Sequence, residues 1–254
     1  MTPAKKDQIR ALLKSIETGD PGPIAVVNEA KYIQHNPQTH EGSEGLAALF
    51  KRLSKTSPRV NIVRAFEDGD FVFAHTEYDF ANRNIGFEVF RFEDGRAVEH
   101  WDNIQPRQGP NQSGRSMVEG PTEANDHALT ESNREVVRAF VDSILVKNEL
   151  EKLEDYIDEE NYAEHNSRLS DGLSGLRSAL ATADDGRRTV DYQRVHRVLA
   201  EGNFVLSVSE GYYNGVRSAF YDLFRVVSGK LVEHWDTTEK IAPRNEWKNS
   251  NGKF

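Results

Sequence analysis

Apolar residues fall at Ile9, Leu12, Leu13 and Ile16 between Lys5 and Thr18, the spacing of one face of an amphipathic helix. Gly19-Asp20-Pro21-Gly22-Pro23 ends it. Ile24 to Val27 predicts a short second helix, and Gly42-Ser43-Glu44-Gly45 opens a third with Leu46, Leu49, Phe50 and Leu53 on one face. After Pro58 the period changes. Val60 to Phe66, Phe71 to Phe80, Ile85 to Phe92 and Ala97 to Ile104 read as strands, and Asp94-Gly95 is the strongest hairpin signal between them. Pro106 to Thr130 is rich in Pro, Gly, Ser and Asn and has no period, so it reads as a linker or an extended arm.

The same order of elements then returns. Val136, Val137, Phe140 and Ile144 predict a helix, Leu150 to Ile157 a short second one, and Gly172-Leu173-Ser174-Gly175-Leu176 the start of a third. Strands follow at Thr189 to Ala200, Phe204 to Tyr213, Ala219 to Val227 and Leu231 to Glu239, and the polar tail from Asn245 is expected to fray. Val98-Glu99-His100-Trp101-Asp102 recurs as Val232-Glu233-His234-Trp235-Asp236. Tyr32, His35, Asn36, Gly42, Gly45 and Leu46 match Tyr162, His165, Asn166, Gly172, Gly175 and Leu176. The pattern predicts two copies of one α+β domain, each with helices first and then an antiparallel meander. The expected division is 1–106 for the first domain, 107–130 for the linker, 131–244 for the second domain and 245–254 for the tail.

Composition narrows the function classes. The formal charge is −9 over 254 residues, which counts against a phosphate-backbone binder. With no Cys, disulfides and thiolate chemistry are out. No apolar run reaches the roughly 18–20 residues that cross a bilayer. The expectation is therefore no nucleic acid, no membrane and a cytoplasmic location.

Tyr32-Ile33-Gln34-His35-Asn36-Pro37, His100-Trp101-Asp102-Asn103-Ile104-Gln105-Pro106, the string from Val195 to Val205, and Asp222-Leu223-Phe224-Arg225 resemble the SnoaL-like branch of the nuclear transport factor 2-like superfamily. That branch includes polyketide cyclases and ketosteroid isomerases. The resemblance covers each half once. It implies a cone, a curved antiparallel sheet wrapped around helices with a pocket at one end. It also implies pairing through the sheets, as an intrachain pseudo-dimer or a homodimer. For reaction it is weak, because the fold hosts catalysts and binders alike.

Strand alternation sorts the candidate chemistry. His100 and Asp102, and likewise His234 and Asp236, share a face opposite their Trp; they are either an acid/base pair or a structural network closing the strand. Asp222 stands among Phe220, Phe224 and Val226, and Glu88 among Phe90 and Phe92. Desolvation there raises a carboxyl pKa, unless an Arg such as Arg91, Arg197 or Arg225 pairs with it. In the cyclases the Asp222 position corresponds to the catalytic acid/base, and a pocket His corresponds to His75. His196 appears in the second half only. His35-Asn36 and His165-Asn166, after Tyr32 and Tyr162, either line the cone mouth or cap the following helix. A metal site from His35, His75, His100 and Glu88 lacks the short ligand spacing of zinc motifs.

The leading expectation is an enzyme without cofactor or metal, acting on a small hydrophobic carbonyl compound by proton abstraction. Asp222 would be the acid/base, His196, His234 and Asp236 its partners, and His165 or Asn166 the oxyanion donor. The alternative is a binding module of the same fold.

Overall fold

In the computed structural model, residues 3–254 are described. The side chains of residues 43, 44, 46, 47 and 54, including the expected apolar position Leu46, lie outside the described set. The chain forms two compact units, 1–106 with 241–254, and 107–240.

The first unit begins with α1 (Lys5–Thr18), whose buried face is Ile9, Leu12, Leu13 and Ile16. Gly19 ends it in the left-handed region at φ 72°, its N–H donating to Ser15 O at 2.8 Å. β1 (Ile33–Gln34) and α2 (Gly42–Leu53) follow. The sheet is completed by β2 (Arg59–Asp68), β3 (Phe71–Asp79), β4 (Arg83–Glu93) and β5 (Arg96–Pro106). Its order is β1-β5-β4-β3-β2, with β1 parallel to β5 and the rest antiparallel. Asp94 and Gly95 both have positive φ in the two-residue turn that joins β4 to β5, as the Asp-Gly pair predicts.

The second unit has α3 (Thr130–Phe140), continued by a π-helical turn over Val141–Val146, then α4 (Leu153–Tyr156), β6 (Ala163–Glu164) and α5 (Leu173–Leu180). β7 (Val190–Glu201), β8 (Phe204–Tyr213), β9 (Val216–Val227) and β10 (Lys230–Lys240) form a sheet of order β6-β10-β9-β8-β7. The topology of the first sheet is repeated strand for strand. The architecture is α+β in two tandem sheet domains.

The polar segments are packed. Residues 107–130, expected as a linker, belong to the second unit: Asn125 and Asn203 exchange backbone and side-chain hydrogen bonds at 2.8 and 2.9 Å. The tail expected to fray belongs to the first unit. Asn249 Nδ2 donates to Asn36 O at 2.7 Å and Asn251 Nδ2 to Gln34 O at 3.0 Å. Among the described residues no helix is long and apolar enough to cross a membrane.

Candidate functional site

Each sheet has one side chain set turned towards its helices and another turned away. In the first unit the helix side encloses a cavity of about 240 Å³. Leu12 and Leu13 of α1, Phe50 of α2 and Phe90 of β4 give it apolar walls, and its polar end holds Glu88, His100, Asp102, Gln34 and Asn36.

β4 and β5 place Glu88 directly opposite Asp102 and Phe90 opposite His100. His100 Nε2 lies 2.6 Å from Glu88 Oε2, and Tyr78 donates its hydroxyl to Glu88 Oε1 at 2.6 Å. Gln34 Oε1 accepts from Asn36 N and from His100 Nδ1, both at 2.9 Å. An amide oxygen cannot donate, so Nδ1 carries a proton and one further proton is shared between Nε2 and Glu88. Burial pushes the Glu88 carboxyl up; His100 opposes this and the charge of Asp102 adds to it. Asp102 in turn accepts from Asn36 Nδ2 at 2.6 Å and lies 3.5 Å from Lys253 Nζ.

The second unit repeats the constellation with a different charge. Its cavity is about 50 Å³, room for little more than a water molecule or two. His234 Nε2 lies 3.2 Å from Asp222 Oδ1, while its Nδ1 meets both oxygens of Glu164 at 3.0 Å. Burial alone would lower the His234 pKa, but Glu164 and Asp222 outweigh it and hold the ring well above the usual range, as an imidazolium clamped between carboxylates. Tyr192 donates to Asp222 Oδ1 at 2.9 Å, and Asn166 to Asp236 Oδ2 at 2.8 Å. Burial pushes Asp236 up to about 6.

Several expected site residues stand elsewhere. His75 sits opposite Phe87 in the β3–β4 register and stacks on that ring at 4.4 Å, so it faces away from Glu88. His35 and His165 do not line the cavities. They stack on Trp101 and Trp235 at 4.7 and 4.8 Å and bond to Glu99 and Glu233, both at 2.9 Å. Asn36, Asn166 and the tyrosines Tyr32 and Tyr162 do line them. His196 lies 3.5 Å from Glu210 and lines no part of the Asp222 cavity, because two bulges in β7 turn it out of the expected alternation. Arg91 and Arg225 pair not with the central carboxylates but with Glu99 and Glu233, each at 2.7 Å.

Gln34, Glu164, Tyr78, Tyr192 and Lys253 were not singled out from sequence. Gln34 and Glu164 carried a signal, since they are a charged-for-neutral exchange inside the matched Tyr-x-x-His-Asn strings. The two phenols carried none, because they come from non-equivalent strands, β3 and β7. Ligand atoms of Glu88, His100 and Asp102 lie within 4.8 Å of one another. As arranged, their acceptors are taken up by the Tyr78, His100, Asn36 and Lys253 contacts, so an ion would have to displace these bonds.

The family model described as "SnoaL-like domain" matches residues 9–100. No curated protein sequence matches the chain. Among solved structures, TsrD from Streptomyces laurentii is 20% identical and covers 41% of this chain and 92% of its own, with a TM-score of 0.36. An LEH-like epoxide hydrolase from M. tuberculosis is 19% identical over 39% of this chain and 81% of its own, at 0.34. An NTF2-like protein of unknown function from Cytophaga hutchinsonii is 16% identical over 42% of this chain and 94% of its own, at 0.36.

Proposed function

We propose, with a SnoaL-like domain over residues 9–100 as the premise, that the first unit is a cofactor-independent acid/base site for a small hydrophobic carbonyl compound. The observation that carries this reading is the Glu88–His100 pair at 2.6 Å, open to a cavity of about 240 Å³. The assignment moves from the second unit, where sequence placed it, to the first.

In the proposed step Glu88 takes the proton from the carbon beside the carbonyl. The C–H electron pair becomes the enolate C=C as the C=O π pair moves onto the carbonyl oxygen. The abstracted proton rests on the Glu88 carboxyl while the proton already between the pair stays on His100 Nε2. Tyr78 steadies Glu88 Oε1. Tyr32 lines the cavity, and among the described residues its hydroxyl bonds to no other side chain, unlike Tyr162, which donates to Glu164 at 3.1 Å. Tyr32 is therefore the candidate donor to the enolate oxygen. The enolate carbon then attacks a second carbonyl, whose oxygen takes the proton back from Glu88, in an aldol-type cyclisation, or Glu88 returns the proton at another carbon in an isomerisation. The second unit, an old copy of the same domain in this reading, keeps the fold and has lost the basic pair.

The test needs no prior substrate. A panel of small apolar ketones is followed by NMR for α-proton exchange in D2O, with wild type, Glu88→Gln and Asp222→Asn. The expected result is exchange by wild type and Asp222→Asn, and a loss of about 10²–10⁴-fold in Glu88→Gln. Equal exchange by Glu88→Gln would overturn the assignment; equal loss in Asp222→Asn would return it to the second unit.

A further inference from the structure

Two polar segments carry the same short pattern: Asn111-Gln112-Ser113-Gly114-Arg115 and Asn249-Ser250-Asn251-Gly252-Lys253. In both, the leading Asn side chain accepts from the backbone N–H two residues on, at 3.0 Å for Asn111 and 3.1 Å for Asn249. In both, the Gly has positive φ, 81° and 87°, so the chain turns and sends the next side chain inward. The first strap serves the second unit. Asn111 Nδ2 donates to Glu164 O at 2.6 Å, Ser116 O meets His165 Nδ1 at 2.7 Å, and Arg115 pairs with Asp171 at 2.7 Å. The second strap serves the first unit. Asn251 Nδ2 donates to Gln34 O, and Gly252 O meets His35 Nδ1 at 3.0 Å.

The cations at the ends of the two straps part company. Arg115 ends on a loop carboxylate that is half-exposed. Lys253 is 3% exposed, and its ammonium ends 3.5 Å from Asp102 Oδ1, on the carboxylate beside Glu88. A buried ammonium is kept only where it is paired, and here the partner is a cavity residue.

We propose that Lys253 is the positioning residue of the first cavity: the strap over residues 249–254 delivers its ammonium to Asp102 and so sets the charge felt by the Glu88–His100 pair. The charged and titratable groups around that pair are Tyr32, Tyr78 of β3, Asp102 of β5, Arg52 of α2 and Lys253 of the strap. Asp102 pushes the Glu88 carboxyl up, so cancelling its charge keeps Glu88 readier to act as a base. The second unit shows the contrast, for no strap cation reaches Asp236 among the described residues, and its Oδ1 is buried without a hydrogen-bond partner. This inference extends the function proposed above, and its test is independent of turnover.

The His100 ring is titrated by NMR in the full chain, as wild type, Lys253→Met, Lys253→Arg, Asp102→Asn and the Lys253→Met/Asp102→Asn pair. Lys253→Met keeps the aliphatic stem and removes the charge, so the midpoint of the Glu88–His100 titration should rise by about one pH unit. Lys253→Arg should restore the wild-type midpoint. With Asp102 already neutral the ammonium acts alone, so Lys253→Met should again raise the midpoint, and the double variant, which has lost one charge of each sign, should titrate close to wild type. An unchanged midpoint in Lys253→Met, or a double variant that titrates like Lys253→Met alone, overturns the proposal, and the second outcome also exposes a merely structural loss. Failure to find ketone exchange leaves this titration standing, and a flat titration leaves the Glu88 assignment standing.

Discussion

Gln34 Oε1 meets His100 Nδ1 at 2.9 Å, and at the corresponding place in the second unit Glu164 meets His234 Nδ1 at 3.0 Å. One neutral and one anionic acceptor at the same ring nitrogen separate a proton-sharing pair from a locked cation. Exchanging the two residues should exchange the behaviour. Gln34→Glu is expected to hold His100 as an imidazolium and to slow any Glu88-dependent exchange at least tenfold. Glu164→Gln should let His234 titrate at lower pH than in wild type. Side-chain NMR of the two rings checks both, and unchanged titrations would show that the acceptor charge does not decide the pair's state.

The locked carboxyl Asp236 makes a stability prediction. Its folded-state pKa is pushed up to about 6, above the unfolded value of about 3.9. Between these values the folded protein binds more protons than the unfolded chain, so this group's contribution falls as pH rises from about 4 to about 6. Two pH units correspond to on the order of 3 kcal/mol. Asp236→Asn should remove that slope. Denaturant unfolding of both proteins at pH 4 and pH 8 should show the variant gaining on wild type at pH 8; a pH-independent difference would contradict the shift.

The fold and half of the site were legible in the sequence because both rest on periods. Alternation put His100 with Asp102 and Glu88 with Phe90, and the register joins the two sets because the β4–β5 bulge falls at Arg91/Phe92, beyond the polar residues. It failed for His75, which stands thirteen positions before Glu88 but pairs with Phe87, and strand register, not distance along the chain, decides the face. In β7 two bulges erased the alternation that would have placed His196. The straps were illegible for another reason. Their Asn, Ser and Gly content reads as loop by composition, whereas here those side chains satisfy the backbone of residues 34–39 and 164.

The repeated His residues beside the Asn pair illustrate a structural role for a conspicuous motif. His165 is bonded to Glu233 and Ser116 O, and its ring covers Trp235. Glu233 is held below the usual carboxylate range because His165 and Arg225 outweigh its burial. His165→Ala therefore leaves Glu233 short of a partner and opens a gap over the indole, a cost of about 2–4 kcal/mol. A fall in Tm with ketone exchange in the first unit intact is expected. Lost exchange with an unchanged Tm would instead give this His a part in the chemistry.

Gly202 tests whether the strap of residues 107–126 is held by its fit to the β7–β8 turn. The residue has φ 58°, and a Cβ there would lie 2.1 Å from Asn125 O, a backbone atom that also accepts from Asn203 N at 2.8 Å. Neither strain nor clash can be relieved by a rotamer change, because both involve main chain. Gly202→Ala must therefore push Asn125 away and break the reciprocal Asn125–Asn203 bonds, costing about 1–3 kcal/mol at the joint. Hydrogen exchange should then quicken at residues 203 and 125 while β9 and β10 stay protected, since their ladder lies elsewhere. Limited proteolysis should cut first near Arg107 or Arg115. Gly215→Ala is the control, a turn glycine with φ 74° and nothing within 4 Å of the added carbon. It carries the strain without the clash. If both variants loosen residues 107–126 equally, the strap is not held by this contact.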